Sequence, residues 1–310
     1  MLFSIFFLFM TYLMLKFSNL SMFYALNGLN LWFQKMIPAL LPFMILSAVA
    51  IRLNLTEKIA KIFYPFLYPV FHVRKQVIYC IFLGFLCGFP MGAKVTSDLY
   101  QLNKLTKSEA VFLLSFCNNI GPIYFCSFVL PLLNIAQPFP FLFGMYGIPL
   151  LYGVLLRYTT YKCKIPLTDN NKQIVEIDVT SYKNMLLSSI EEAIISSLKA
   201  ISSLGGYMIL FNLLCLPFHV IMNKPPKLIV PILEITGGLS LLGNEFPLYS
   251  LIVLSFGGLS CIAQTYSCIK DTDLNISDYV YHRLILTIIT ILYYFCCLLL
   301  FPALRFFLLR

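Results

Sequence analysis

Charge is the property that this sequence has least of. Only 11% of its 310 residues are Asp, Glu, Lys or Arg, against roughly a quarter in ordinary soluble domains. In contrast, 60% are hydrophobic and the mean hydropathy is +0.86. A bilayer can accommodate this apolar surface, since about 20 consecutive apolar residues cross its hydrocarbon core. The composition therefore excludes an ordinary soluble domain and predicts an all-α, polytopic integral membrane protein surrounded by lipid.

Patterns that bind metals or carry out catalysis are also missing. The three histidines are scattered, and the ten cysteines form no CxxC pair and no Cys/His cluster with zinc spacing. No GxSxG, Walker or HExxH motif occurs. We therefore predict no enzyme activity, no metal, no cofactor and no disulfide framework. The net charge of +9 is typical of membrane proteins with basic cytoplasmic loops. The sequence contains no basic patch interleaved with aromatic residues, so we predict no nucleic-acid partner.

Apolar runs divide the chain into about seven predicted spanning helices. Two further runs, 76–100 and 228–245, are broken by Gly and Pro, which is typical of re-entrant hairpins or discontinuous helices. Segments 56–70 and 184–199 are amphipathic and are expected to lie in the membrane interface. The predicted spanning helices are 2–17, 29–51, 108–130, 139–157, 200–222, 247–268 and 280–304.

The positions of basic residues favour a hairpin at 76–100. With the N-terminus in the cytoplasm, this hairpin leaves the uncharged turns 18–28 and 131–138 outside. A full crossing there would separate basic segments that otherwise share the cytoplasmic face. Four basic residues fall outside in this arrangement, namely Lys224, Lys227, Arg305 and Arg310. The orientation of the C-terminal half therefore stays open. The predicted cytoplasmic set is Arg52, Lys58, Lys61, Arg74, Lys75, Lys104, Lys107, Arg157, Lys162, Lys164, Lys172 and Lys183.

A polar stretch at 161–183 is predicted to be a cytoplasmic linker between two halves. Residues 1–28 are predicted to form an N-terminal transmembrane helix, which we interpret as retained rather than as a signal peptide because it lacks a basic n-region. Residues 29–160 and 184–310 are predicted to form two gate-like repeats.

Three features recur in the same order in both halves: an apolar segment, a Gly-broken hairpin, and a helix interrupted after Ser-Phe. An odd number of crossings between them predicts inverted repeats, the usual construction of secondary transporters with broken helices. The paired segments are PALLPFMIL (38–46) with SSLGGYMIL (202–210), GFLCGFPMGAK (84–94) with EITGG (234–238), and SFCNNIGP (115–122) with SFGGLSCIAQ (255–264).

Four breaks, at Gly88-Phe89-Pro90, Gly121-Pro122, Gly237-Gly238 and Gly257-Gly258, are the predicted substrate site. Pro90 and Pro122 are each expected at the first position of a new half-helix, and Asn118 and Asn119 are candidate caps of the one that starts at Pro122. Unwound backbone at membrane depth is tolerated only when it is buried in protein or lines a polar cavity. A half-helix starting there directs free N–H groups and a positive dipole end at the cavity, which favours a carboxylate. The alternative is that Gly84, Gly88 and Gly92, which form a tandem GxxxG pattern, only permit close helix packing. The predicted substrate-binding residues are Gly88, Pro90, Gly92, Lys94, Asn118, Asn119, Thr236, Gly237, Gly257, Gly258 and Gln264.

Few charged residues fall in the predicted membrane segments. Lys94 and Asp98 share a helix face, and they either act in transport or neutralise each other. Glu234 stands directly before the predicted Thr236-Gly237-Gly238 break. Glu234 and Asp98 are both predicted to bind a coupling Na⁺ or to take up a proton. A hydrogen bond from Glu234 to a neighbouring helix is the alternative. Arg283 is expected to mark the cytoplasmic start of the last helix.

These motifs resemble those of the YlbJ-type (SpoVV) sporulation integral membrane proteins. That family belongs to a group of nucleoside-recognition, or gate, domains that resemble parts of concentrative nucleoside transporters. Together the matching segments cover most of the chain in the right order, and GFPMGAK followed by FCNN is the most specific part. The matching segments are LWFQKMIPALLPFMIL (31–46), GFPMGAK (88–94), SFCNNIGP (115–122), EITGG (234–238) and SFGGLS (255–260).

The resemblance implies movement of dipicolinic acid across the mother-cell-derived outer forespore membrane during sporulation. Half-helix N-termini and Lys94 would receive the two carboxylates of this planar dianion, while Asn118, Asn119 or Gln264 would contact its ring nitrogen and Glu234 would bind the coupling ion. Two alternatives remain: a transporter of a neutral, nucleoside-type solute, and a non-transporting structural or assembly protein of that membrane. Nucleoside-transporter relatives make a homo-oligomer plausible.

Overall fold

The computed structural model describes residues 1–135, 137–166 and 179–300, with the backbone alone for 179–186. Within these ranges every regular element is helical, and most of the predicted 161–183 linker lies outside them. The helices are α1 (Leu2–Lys16), α2 (Ser18–Arg52), α3 (Thr56–Phe71), α4 (Lys75–Cys87), α5 (Met91–Gln101), α6 (Lys107–Phe116), α7 (Pro122–Leu132), α8 (Phe139–Tyr158), α9 (Val179–Leu213), α10 (Leu216–Met222), α11 (Val230–Leu233), α12 (Ile235–Leu242), α13 (Pro247–Phe256), α14 (Gly258–Ile269) and α15 (Ile276–Leu300).

Five stretches of the described chain are long and apolar enough to cross a membrane, and six if α3 and α4, bent by 97° at their junction, count as one. They are α2, α8, the α9–α10 stretch, the α13–α14 stretch and α15. The protein is thus a polytopic helical membrane protein, and the described residues give five or six candidate spans, so the predicted seven are not confirmed. Segment 2–17 forms a helix of 15 residues, shorter than a span, and 108–130 is divided between α6 and α7 because Gly121-Pro122 interrupts it.

Two boundaries differ from the prediction. The segment 184–199, expected to be a separate interfacial helix, continues into 200–213 as one helix, because no Gly or Pro interrupts the chain before Gly205. The predicted boundary after residue 28 falls inside α2, which passes through a π-helical turn at Trp32–Met36 without ending.

Helices α4 and α5 form the hairpin that the charge pattern predicts. Arg74, just before α4, donates from Nε to Glu109 Oε1 (2.9 Å) and from a terminal nitrogen to the backbone oxygen of Lys104, just after α5 (3.4 Å). Glu109 is fully buried and forms a capping box with Thr106 at the start of α6. The chain therefore enters and leaves this hairpin at the same end of the molecule.

Several other helix ends meet at this place, which we call the basic end (residues 52–54, 71–75, 104–109 and 157–162). Lys104 Nζ donates to the oxygen of Ile51 (3.2 Å), and Arg157 Nε donates to the oxygen of Phe71 (2.9 Å). The ends of α2, α3, α5 and α8 are therefore tied together by basic side chains. Its assignment to the cytoplasm stays a prediction of the positive-inside rule.

The two apolar segments that were paired as repeats lie on helices that pack against each other. Trp32 Nε1 on α2 donates to the oxygen of Ile201 on α9 (2.8 Å). A Cβ added at Gly205 would lie 2.5 Å from the Trp32 indole, and one at Gly28 would lie 2.8 Å from Ile209 Cα. Small residues thus allow the helices to approach closely, as in membrane helix pairs generally.

Candidate functional site

Three of the four predicted breaks occur where they were predicted, whereas the one predicted at Gly237-Gly238 lies at Glu234, because these two glycines continue α12. The four breaks meet in one region, which we call the break layer (residues 88–90, 117–121, 234 and 257–258). Gly88 contacts Gly121, so the two breaks of the first half touch. Gly258 lies against the backbone of Pro231 and Ile232, so the two breaks of the second half touch as well. The ring of Phe89 reaches Gly257 and joins the halves. The order and pairing of breaks are therefore the same in both halves, although their inversion stays a prediction.

The glycines of the first hairpin serve both packing and conformation. Gly84 and Gly92 lie against the carbonyl of Cys117, where an added Cβ would approach within 3.0 Å. Gly88 has φ +83° and ψ −166°, a conformation that is essentially confined to glycine. The packing interpretation therefore describes Gly84 and Gly92, whereas Gly88 is required by the turn itself.

Asn118 and Asn119 were expected to cap α7, but neither side chain does so. Asn118 Oδ1 accepts from the backbone N–H of Ala93 at the start of α5 (3.4 Å), and its Nδ2 donates to Thr265 Oγ1 on α14 (2.8 Å). Asn119 Nδ2 donates to the oxygen of Phe116 at the end of α6 (2.6 Å). These amides therefore bind the start of α5, the interior of α14 and the end of α6 instead of capping α7. Pro122 is the first residue of α7, as predicted, while Pro90 stands just before α5.

Arg283 is the functional candidate that sequence reasoning placed wrongly. It was expected at the membrane surface, but its side chain is buried, with 3% exposed. It donates to the backbone oxygen of Asn118, to Asn119 Oδ1 (3.2 Å) and to the oxygen of Ser255 (3.1 Å). No local signal could have placed it there, because the predicted start of the last helix at residue 280 puts Arg283 in its first turn, whereas the helix begins at Ile276.

Glu234 fills the N-terminus of α12. Its Oε1 accepts from Thr236 N (3.1 Å) and its Oε2 from Gly237 N (2.6 Å). Asn212 Nδ2 on α9 also donates to Oε2 (3.3 Å), so the hydrogen bond to a neighbouring helix, which was the alternative to ion coupling, exists. The side chain is 2% exposed. Because this carboxylate already occupies the free N–H groups, a substrate anion cannot use the N-terminus of α12 unless Glu234 moves.

Two cavities approach the break layer. The small cavity, of about 170 Å³, is bordered by Lys35, Phe89, Glu234, Thr236 and Gln264. The large cavity, of about 410 Å³, extends toward the basic end and is bordered by Pro90, Lys94, Asp98 and again Gln264. Leu204 and Gln264 border both cavities, and Gln264 Nε2 is held by Ser260 Oγ (2.9 Å). These two side chains are therefore part of the partition between the cavities.

The cavities separate residues that were predicted to share one site. Lys94 and Glu234 lie on opposite sides of the partition, and Gly237 borders a third cavity of about 290 Å³ between α2 and α12. Six of the predicted substrate-binding residues border none of the three cavities: Gly88, Gly92, Asn118, Asn119, Gly257 and Gly258. They form the break layer or pack against it, and they are not part of the cavity walls.

Cationic side chains outnumber carboxylates around the large cavity. Lys94 Nζ and Asp98 Oδ1 form a half-buried ion pair (2.5 Å). Lys199 and Lys270 are exposed at the mouth and form no ion pair with the residues that the structure describes. An anion entering from the basic end would therefore meet unpaired positive charge. The charged side chains bordering this cavity are Arg52, Lys94, Lys199, Lys270, Asp98 and Asp271.

The described part of the chain contains no group of three or more His, Cys, Asp and Glu side chains arranged to hold a metal ion. Its cysteines are all free thiols.

Comparison with known proteins gives one informative match. The chain is 25% identical to the sporulation integral membrane protein YlbJ of Bacillus subtilis (strain 168), in an alignment that covers 90% of this chain and 78% of that protein. No family model matches the sequence, and no solved structure matches it. The match agrees with the resemblance that the motifs indicate.

Proposed function

Because the chain belongs to the YlbJ-type family of sporulation integral membrane proteins, we propose that it is a secondary transporter for a small organic anion. Dipicolinic acid, moved across the outer forespore membrane during sporulation, is the substrate that we propose first. The substrate, the transport activity and that membrane are parts of the proposal.

The observation that carries the proposal is the pair of cavities that meet at Leu204 and Gln264. A transporter needs a site that can be reached from either side of the membrane, separated by a thin barrier that can rearrange. Here Gln264 lies on α14, which starts at the Gly257 break, and this unwound segment can change its backbone angles without unfolding a whole helix. A purely structural membrane protein needs neither the breaks nor the cavities.

The charge of the large cavity favours an anion over a neutral solute. Dipicolinate carries two carboxylates near neutral pH, and Lys199 and Lys270 offer positive charge at the mouth. Deeper in, Lys94 would exchange Asp98 for a substrate carboxylate, which frees Asp98 to bind a coupling ion. Glu234, on the other side of the partition, is the second carboxylate at which a proton or Na⁺ would be coupled.

The test is uptake of labelled dipicolinate into proteoliposomes that contain the purified protein, with uridine as the parallel solute. We expect saturable dipicolinate uptake that falls at least about tenfold in Lys94→Met and in Glu234→Gln, because a lost hydrogen bond to a charged group changes an equilibrium by that factor or more. Lys227→Met is the matched control, since it breaks the exposed ion pair with Glu245, whose residues border none of the three cavities.

Each outcome separates the candidate functions. Uptake of uridine in place of dipicolinate would keep the fold and change the substrate class to nucleosides. Normal uptake by Lys94→Met would remove Lys94 from the site. No uptake of either solute by folded protein would overturn the proposal and favour the assembly role.

A further inference from the structure

Arg283 lies between two helix ends that come from different halves of the chain. It donates to the backbone oxygen of Asn118, just past the end of α6, and to the oxygen of Ser255 in the last turn of α13 (3.1 Å). It also donates to Asn119 Oδ1 (3.2 Å). The guanidinium therefore faces the negative dipole ends of both interrupted helices.

The surroundings of Arg283 suit a cation and contain no counter-charge. No carboxylate of the described residues forms an ion pair with it, and its Nε has no hydrogen-bond partner there. The guanidinium carbon lies 4.8 Å from the centre of the Phe89 ring and 5.5 Å from that of Tyr279. Carbonyl dipoles and aromatic faces thus stabilise the buried charge, which otherwise carries a large desolvation cost.

Helix C-termini and unwound carbonyls at a break are the groups with which broken-helix transporters bind a coupling cation. In this chain they are already occupied by a side chain that is charged at every physiological pH. We propose that Arg283 is a built-in cation at this position, so that transport needs no Na⁺ bound between α6 and α13. This inference rests on the proposed function, and it leaves ion coupling to carboxylates elsewhere, such as Glu234.

A neutral side chain at position 283 should turn the position into a cation site. Removal of the guanidinium leaves three backbone or amide oxygens facing a buried space, and a small cation can replace the lost charge. We therefore expect Arg283→Gln and Arg283→Ala to be stabilised by Na⁺ or methylguanidinium at constant ionic strength, but not by choline. The thermal midpoint of the wild type should differ less between Na⁺, methylguanidinium and choline than the midpoints of the variants do.

Arg157 supplies the matched control. It is equally buried, with 4% exposed, and it donates to backbone oxygens, including those of Phe71 (2.9 Å) and His72 (3.0 Å). It lies at the basic end, away from the breaks. Arg157→Gln should lose stability without gaining a response to Na⁺, because two of its acceptor residues, His72 and Lys162, are exposed and water can replace the guanidinium there.

The first measurement is the thermal midpoint of purified protein in sodium, methylguanidinium and choline chloride. A midpoint of Arg283→Gln that depends on cations no more than that of Arg157→Gln would overturn the inference. If neither neutral variant folds, Arg283→Lys provides the test. Because it retains the positive charge, its thermal midpoint should not depend on Na⁺. A midpoint that Na⁺ raises would contradict the inference.

Uptake provides the second measurement and separates the two proposals. Dipicolinate uptake by Arg283→Gln should fall at least about tenfold in choline and recover in Na⁺ or methylguanidinium. An absence of uptake by the wild type, together with cation-stabilised Arg283→Gln, would refute the transport function but keep the cation position. Uptake by Arg283→Gln equal to that of the wild type in choline would refute the inference but keep the transport function.

Discussion

Gly88 is the position where one methyl group should do the most damage to the break layer. The residue has φ +83° and ψ −166°, and a side chain in this region of backbone space costs about 1–3 kcal/mol. A Cβ here would also lie under 3.0 Å from the backbone of Gly121. Forcing atoms into a packed interior adds about 1–3 kcal/mol. Gly88→Ala should therefore destabilise the protein by about 2–6 kcal/mol.

Gly206→Ala is the matched control. Gly206 is exposed on α9, and an added Cβ would meet nothing within 4 Å. Ala is favoured over Gly within a helix by about 0.5–1 kcal/mol, so this variant should be as stable as the wild type or slightly more stable. The same chemical change thus gives opposite results at the two positions.

The assay is thermal unfolding followed with a thiol-reactive fluorescent dye. Cys80 and Cys117 are buried and become reactive only when the helices separate, whereas exposed cysteines set the starting signal. The midpoint of Gly88→Ala should fall by at least about 4 °C, using roughly 2 °C for each kcal/mol in a large domain. Equal midpoints for Gly88→Ala and the wild type would show that the Gly88–Gly121 contact is not tight, and the paired breaks would lose their main support.

Two further predictions concern the basic end. Arg74→Met leaves the fully buried carboxylate of Glu109 without its ion-pair partner and should destabilise the protein by about 3–5 kcal/mol. The double variant that also carries Glu109→Gln should be less destabilised than Arg74→Met alone. Equal losses of stability for the two variants in the thiol assay would contradict the ion pair. Hydrogen bonds from Lys107 and Tyr100 lower the pKa of Asp273 below its ordinary value. The stability that this contributes is present above the unfolded pKa of Asp and is lost as the pH falls through the lower, folded pKa. Asp273→Asn should therefore weaken the dependence of the thermal midpoint on acidic pH, and an unchanged pH profile would contradict the prediction.

The class of the protein and the positions of its breaks could be predicted from the sequence because both are local properties. Apolar runs near the thickness of a bilayer define membrane segments without reference to the rest of the chain. Gly and Pro interrupt helices at Gly88, Gly121 and Gly257, where their positions predict it, whereas the break predicted at Gly237-Gly238 lies at Glu234. The hairpin of α4 and α5 was also predictable, since the positive-inside rule compares only the charges on its two flanks.

The number of spans was less predictable, since hydropathy does not show where a helix ends. The run 108–130 was counted as one span although the predicted break at Gly121-Pro122 lies inside it, and it forms two helices. The cap that Glu234 forms on α12 could have been expected from its place directly before the helix. The donation from Asn212 could not, because it lies on a different helix.

Only the tertiary structure decided which residues share a cavity. Lys94 and Glu234 both stand beside breaks in sequence, but the packing of α9 and α14 places Leu204 and Gln264 between their cavities. Arg283 was misplaced for the same reason. A basic residue early in an apolar helix is compatible with the membrane surface, and nothing local shows that the ends of α6 and α13 converge on it. The sequence by itself thus determined a broken-helix membrane protein, while contacts between distant segments determined where its charges lie and what they face.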